Sequence, residues 1–406
     1  AWAGYAAARA LGSDAWTAVG GAWLFAGGEV VWSRGVRAEV HDLALAFGAL
    51  AFLCALHLRR DGTPRAVLGL ALALGLGIAT HPVVALVVPG ILIVIAPRLR
   101  ALDGRTVRRA LAIGGACLAL YTYLPVRSAI VTAERRDPTL ALGIAPGRPF
   151  WDYNHPASLA GFVREVSGSQ FDVGGALGGL FAADRYAKRG AQFLADARSE
   201  LGLAGIMLAV VGIGLVGRRD PWVGGGAIVA VGTVVMFAFN YQAEADAERY
   251  LLLPFWIACV FAAVGAVGLV RIVFDRGAAR TDLLATLTVF AAALTIGWSN
   301  RGLLALRHDD AAARLVDTVR RVTPANAIVI ASWSYATPLA YAEYVEHAFG
   351  TRIIETAWVG DDRTNLARWA KLRPVYVVSQ EAIALPGAQF VLVADGGAAS
   401  VYRYVP

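Results

Sequence analysis

Again and again this chain runs for about 20 residues with hardly a charge, the length an α-helix needs to cross a hydrocarbon layer about 30 Å thick. Such runs read at Asp14–Trp32, Asp42–Leu58, Ala66–Thr80, Val83–Ala96, Ala110–Leu124, Leu201–Gly217, Trp222–Asn240, Tyr250–Phe274 and Asp282–Leu304, each bounded by charge or proline. This repetition constrains the fold more than any other feature. Backbone groups in lipid must be satisfied internally, and successive long runs do that as helices. The 406 residues are 57% hydrophobic and only 17% charged, with a mean hydropathy of +0.56, which excludes an ordinary soluble chain. The expected fold is an all-α polytopic membrane bundle over residues 1–304, with a small α/β domain at 305–406. Trp2–Arg9 reads as the tail of a further helix, and a chain opening on Ala1 implies that an earlier span is missing.

Val83–Ala96 is short and carries Pro89, which suggests a kinked or re-entrant segment. Arginine placement argues for keeping it as a span. Alternate loops hold Arg59, Arg60 and Arg65, then Arg98 to Arg109, then Arg218 and Arg219, then Arg271 to Arg280. By the positive-inside rule those loops are cytoplasmic, and nine spans satisfy the rule without exception. The intervening turns, a long loop at 125–200 and the C-terminal domain then fall on the extracytoplasmic side of the plasma membrane. The net charge of +7 follows from these span ends instead of one basic face, so no nucleic-acid partner is expected.

From Asp309 the pattern becomes that of an α/β domain. An amphipathic helix carrying Leu315, Val316 and Val319 precedes strands at Ala327–Ala331, Arg352–Thr356, Val375–Ser379, Phe390–Ala394 and Val401–Tyr404, with a helix around Leu339–Phe349. Ser332-Trp333-Ser334-Tyr335 stands where a Gly-rich phosphate loop would follow the first strand, so no nucleotide cofactor is expected. Cys54, Cys117 and Cys259 lie in apolar runs and read as small hydrophobes.

Polar residues gather in the turns assigned to the outside. The first packs Arg34, Arg37, Glu39, His41 and Asp42 between two spans, where carboxylates could hold a cation or act as a base and arginines could grip a phosphate. The alternative is interfacial capping, with Glu39 and Asp42 at a helix N-terminus. His81 precedes Pro82 at a hairpin tip beside a glycine-rich span. The long loop offers Arg127 and then Trp151, Asp152, Asn154 and His155, where rings beside amides and carboxylates suit a sugar and an aromatic belt is the alternative. The last turn is acidic and ends on Glu248, Arg249 and Tyr250, with Arg249 at a helix start where an anion would be held. No metal motif stands out, although the paired carboxylates leave a divalent cation open.

Trp32-Ser33…Ala38-Glu39-Val40, Gly75-Leu76-Gly77…His81, Tyr123-Leu124-Pro125-Val126-Arg127, Trp151…Pro156…Ser167-Gly168-Ser169-Gln170-Phe171 and Arg249-Tyr250…Pro254 occur in order. In this order they resemble a bacterial membrane family catalogued as a domain of unknown function and related to the eukaryotic transmembrane protein O-mannosyltransferases. That family is similar to the GT-C glycosyltransferases. The resemblance implies transfer of a sugar from a polyprenyl-phosphate carrier to a protein or glycan acceptor at the outer face of the membrane. It also implies a catalytic aspartate in a first external loop, which would lie before Ala1, leaving Glu39 and His81 as the catalytic candidates in this chain. His41-Asp42 and the Trp151–Pro156 stretch depart from the family's pattern. A lipid-linked glycan transporter or flippase, which would also need arginines and aromatics, and a non-catalytic assembly or sensing protein are the rival readings.

Overall fold

The computed structural model describes residues 1–36, 39–144, 151–169, 183–241, 244–274, 278–356, 363–381, 383, 385, 387–397 and 399–406. They form two compact units, Ala1–Tyr121 with Ser167–Leu304, and Thr122–Val166 with Ala305–Pro406.

The first unit is a helical bundle. Its helices are α1 (Trp2–Ala10), α2 (Ala15–Ala26), α3 (Glu29–Gly35), α4 (Val40–Asp61), α5 (Pro64–Thr80), α6 (Val88–Leu99), α7 (Gly104–Leu118), α10 (Ala183–Arg219), α11 (Pro221–Asn240), α12 (Leu252–Phe274) and α13 (Ala278–Ser299). The second unit contributes α8 (Tyr123–Ala133) and α9 (Leu159–Ser167) in between. Seven helical stretches are long and apolar enough to cross a membrane, and α2 and α5 are shorter apolar helices, so the chain fits a multi-pass membrane protein. All nine expected apolar runs coincide with one of these helices.

Local chemistry sets the ends. Asp14, Thr63 and Asp220 accept backbone N–H bonds from the first turns of α2, α5 and α11, and Pro64 and Pro221 occupy first positions where no N–H is needed. Pro89 stands in the first turn of α6 after a tight turn at Pro82–Val87, so it kinks nothing and Pro82–Leu99 serves as one span. α4 stops at Gly62, whose φ of +65° suits a residue without Cβ. At 22 residues α4 spans about 33 Å. Its C-terminal end carries the arginines: Arg59 pairs with Asp220 at 3.0 Å, and Arg98 donates to the Arg59 and Arg60 carbonyls at 3.0 and 3.1 Å.

The centre is α12, buried along almost its whole length from Leu252 to Val270. It meets α10 with backbone against backbone: a Cβ at Gly212 would strike the Phe261 carbonyl oxygen, and one at Gly265 the Leu208 carbonyl oxygen.

Two expected runs are broken. Asp14–Trp32 is not one helix, because the chain turns at Gly27–Gly28 between α2 and α3. The freed groups find partners: Asn300 donates to the Gly27 carbonyl at 2.9 Å and the Glu200 carboxylate accepts from Val30 N–H. Asp282–Leu304 likewise leaves α-helix after Ser299 and tightens into a 3₁₀ turn at Arg301–His308. The expected long loop at 125–200 is largely helical where it is described. Tyr123–Ala133 continues a 30-residue helical stretch from Gly104, and α10 starts at Ala183.

The second unit centres on five strands, β1 (Ile328–Ala331), β2 (Ile353–Thr356), β3 (Val375–Ser379), β4 (Gln389–Asp395) and β5 (Ser400–Val405), in the order β2-β1-β3-β5-β4. β1 pairs in parallel with β2 and β3, while β5 runs antiparallel between β3 and β4. The period-2 alternation of strands divides β1 between two cores. Val329 and Ala331 face Leu315, Val319, Leu339 and Phe349 from α14 (Ala311–Val322), α15 (Trp333–Tyr344) and the turn after it. Ile328 and Ile330 face Leu142, Leu366 and Trp369, the last two from α16 (Arg363–Ala370). Trp369 fixes Leu142 there by donating from Nε1 to its carbonyl at 3.0 Å, which ties residues 122–166 to the C-terminal sheet. The α15 helix begins at Trp333 and passes through Pro338, earlier than the expected start at Leu339.

Because the Gly265 contact is with backbone, Gly265→Val should destabilise the chain by about 1–3 kcal/mol. A lowered thermal midpoint in detergent is the readout. Gly214→Ala, which meets open space, should leave the midpoint unchanged or raise it.

Candidate functional site

At the N-terminal end of α4, away from the arginine pairs, the bundle buries a cluster of charged and aromatic side chains. α3 supplies Arg34, 6% exposed. Its Nη1 donates to Glu39 Oε1 at 2.9 Å and its Nη2 to Glu248 Oε1 at 2.6 Å, the second partner 214 residues away. Glu39 occupies the N-cap position of α4, yet its carboxylate turns to Arg34 instead of capping the helix. Burial works to raise its pKa, but the Arg34 hydrogen bond and charge outweigh it and hold Glu39 below the usual carboxylate range.

His41, one residue into α4, lies with Nδ1 3.4 Å from Glu39 Oε2. Its ring stands 4.7 Å from that of His81 and 5.4 Å from that of Tyr250. His81 ends α5 and starts the next turn: its N–H donates to the Gly77 carbonyl at 2.9 Å, while Nδ1 accepts from Val83 N–H at 3.2 Å. An accepting Nδ1 leaves the proton on Nε2. That agrees with a pKa brought down to about 4, chiefly by burial and then by the charge of Arg249. Arg249 lies 5.5 Å from the Tyr250 ring, and Tyr250 also packs edge-on against Tyr241 at 4.9 Å. A cavity of about 20 Å³, room for one water, lies among His41, Val84, Arg249 and Tyr250.

Of the expected site residues, Arg34, Glu39, His41, His81, Glu248, Arg249 and Tyr250 thus converge within one unit. Asp42 makes no hydrogen bond or ion pair among the described residues, and Arg37 lies outside them. Arg127, Trp151, Asp152, Asn154 and His155 belong to the second unit. There Asp152, 3% exposed, accepts from Ser128 and Thr132 and meets His155 Nδ1 at 2.5 Å. Asn154 donates to Glu165, and both Asn154 and His155 adopt positive φ. Asp152 thus ties the turn to α8, and Asn154 ties it to α9. Arg127 and Trp151 sit together, the guanidinium donating to the Trp151 carbonyl at 2.7 Å and lying 5.7 Å from its ring. Tyr241, packed on Tyr250, was not among the expected site residues, because it directly follows the apolar run Trp222–Asn240.

Among the described residues no group of three or more His, Cys, Asp or Glu side chains converges as a metal-ligand set. The cluster offers guanidinium donors for an anion, a carboxylate pair held by one arginine, and a neutral imidazole with a donor at Nε2.

A bundle of apolar helices that buries such a cluster at one end, joined to an α/β domain, defines the class: a multi-pass membrane protein with a polar site at one end of its spans. Residues 6–102 match the sequence model of the protein O-mannosyl-transferase TMEM260 N-terminal domain, as the resemblance led us to expect. That quarter of the chain contains Arg34, Glu39, His41 and His81, and over it the chain is similar to the protein O-mannosyl-transferases. No curated protein matches the chain as a whole or in part.

With His81 depressed from its ordinary 6.5 to about 4, the folded state resists a proton that the unfolded state takes up. Stability should therefore be lost as pH falls from about 6.5 toward 4. His81→Asn keeps an acceptor for Val83 N–H and should flatten the thermal midpoint across that window; an unchanged slope would assign the acid sensitivity elsewhere.

Proposed function

We propose that this chain is a bacterial membrane glycosyltransferase of GT-C type, moving a hexose such as mannose from a polyprenyl-phosphate carrier to a protein or glycan acceptor. The observation that carries the reading is the buried cluster itself. Four of its members lie inside the segment that matches the O-mannosyl-transferase domain, and Arg34 couples them to Glu248, beside Arg249. The arginine pattern of the loops supports an extracytoplasmic position for this face and for the α/β domain of a plasma-membrane protein.

In this reading the acceptor hydroxyl oxygen attacks the anomeric carbon. The bond from that carbon to the carrier phosphate breaks, and the phosphate leaves with the electron pair. Arg249 meets the departing charge, because a guanidinium can hold two phosphate oxygens at once. Glu39, kept ionised by Arg34, is a weak base and acts by orienting that arginine. Glu248 is the other carboxylate on Arg34 and the more exposed of the two, 38% against 19%, so an acceptor could reach it and hand over its proton. His81, neutral with a proton on Nε2, serves as a hydrogen-bond donor to the sugar or the phosphate.

Arg249→Ala should lower transfer of labelled hexose from polyprenyl phosphate by roughly 100-fold or more and weaken carrier binding. Glu248→Gln should lower the rate and leave carrier binding in place. Transfer at the native rate in Arg249→Ala would refute the assignment. Carrier-lipid translocation without any transfer would point to a flippase instead.

A further inference from the structure

The second unit carries a half-open cavity of about 870 Å³, with all of its lining from that unit. This lies within the roughly 300–1,000 Å³ typical of small-molecule sites. We infer that the cavity binds a saccharide bearing an anionic group, a site separate from the buried cluster of the bundle.

Three observations point to that chemistry. The first is an excess of positive charge, since Arg127, Arg136, Arg352 and Arg373 line the pocket with one carboxylate, Glu343, and of the four only Arg136 is ion-paired among the described residues, with Glu134. Arg352 is consumed by the fold: it donates to Thr323 Oγ1 at 2.8 Å, to the Arg320 carbonyl at 3.0 Å, and to the carbonyls of Thr323 and Phe349. Arg127 and Arg373 each give one nitrogen to a carbonyl, at 2.7 and 2.8 Å, and keep further N–H groups for a ligand anion. The second is Glu343. It is 7% exposed, and its Oε2 has no hydrogen-bond partner among the described residues. A buried carboxylate oxygen left unpaired is costly, and hydroxyl donors on a ligand would satisfy it. Burial also pushes its carboxyl above the ordinary range, as expected of a group short of donors.

The third is an aromatic wall held in advance. Trp151 is anchored by a 2.7 Å bond from its backbone N–H to Asp137, and its ring meets that of Tyr344 edge-on at 5.6 Å. An indole presents an apolar face to the C–H groups of a sugar ring. A simple anion would leave the Trp151 wall and Glu343 idle, and a neutral sugar would leave the guanidiniums unmatched. A sugar with a phosphate or a carboxylate uses all three.

The test is calorimetric titration of the full chain in phosphatidylcholine nanodiscs with glucose 6-phosphate, glucuronic acid and glucose. It uses no carrier lipid and no transfer assay, so its failure leaves the reading of the bundle untouched. One or both anionic sugars should bind about ten-fold or more tightly than glucose, the better one telling a phosphorylated from a carboxylated ligand. Arg373→Ala, at a half-buried position, should remove most of that preference. Glu343→Gln should weaken every sugar that binds, and Trp151→Phe provides the same check if that variant fails to fold. Glucose binding as tightly as both anions, no saturable binding of any of the three, or inorganic phosphate matching glucose 6-phosphate would overturn the proposal.

Discussion

The arrangement of the bundle's polar end depends on one buried guanidinium. Arg34 stays charged in an apolar bundle with two carboxylates meeting its fork, Glu39 from the start of α4 and Glu248 from the turn before α12. Removing either partner would leave one arm of the buried guanidinium without that carboxylate acceptor. The clamp therefore fixes more than itself. By holding Glu39 it sets where α4 begins, and so where His41 meets His81 and Tyr250. By holding Glu248 it sets the turn that delivers Arg249 over the Tyr250 ring. Through that side chain two segments far apart in sequence become one surface, which His81 joins by its ring contacts with His41 and Tyr250.

The helices beneath that surface are held by a different principle. Lipid offers no hydrophobic drive for helix to meet helix, so close backbone approach does the work, as at Gly212 and Gly265. Where the chain breaks its helices, at Gly27–Gly28, it recruits Asn300 and Glu200 to satisfy what the break exposes. The two ends of α4 differ in kind. One carries arginines paired near its last turn, as with Arg59 and Asp220, and the other carries the mixed cluster. A bundle polarised in this way suits chemistry at one face.

Much of this was legible in the sequence for a physical reason. Whether 20 residues can cross a bilayer depends on their own hydropathy, so each expected run falls on an apolar helix. Strand limits from Ile328 to Val405 agree with expectation to within one residue, because β-branched residues between turn signals are a local property. The misreadings came where local pattern misleads. Aromatic and amide residues after Tyr123 suggested a loop, yet Pro125 falls in a first turn where a helix accepts it. What Asp152, Asn154 and His155 contact was equally hidden, since their partners Ser128, Thr132 and Glu165 carry no motif with them. Pairing across 214 residues, as between Arg34 and Glu248, leaves no trace in a single sequence. The orphan oxygen of Glu343 is equally silent, since nothing near Ala342 or Tyr344 distinguishes a buried carboxylate from a solvated one.

The most direct test of this account is a double-mutant cycle on Arg34→Met and Glu248→Gln, read as unfolding free energy in detergent. The clamp predicts that each single change is costly and that the pair costs less than their sum, with a coupling of about 1–3 kcal/mol. Additive effects would contradict it, because they would mean that Arg34 and Glu248 stabilise the bundle independently and that the buried cluster is not held together by their contact.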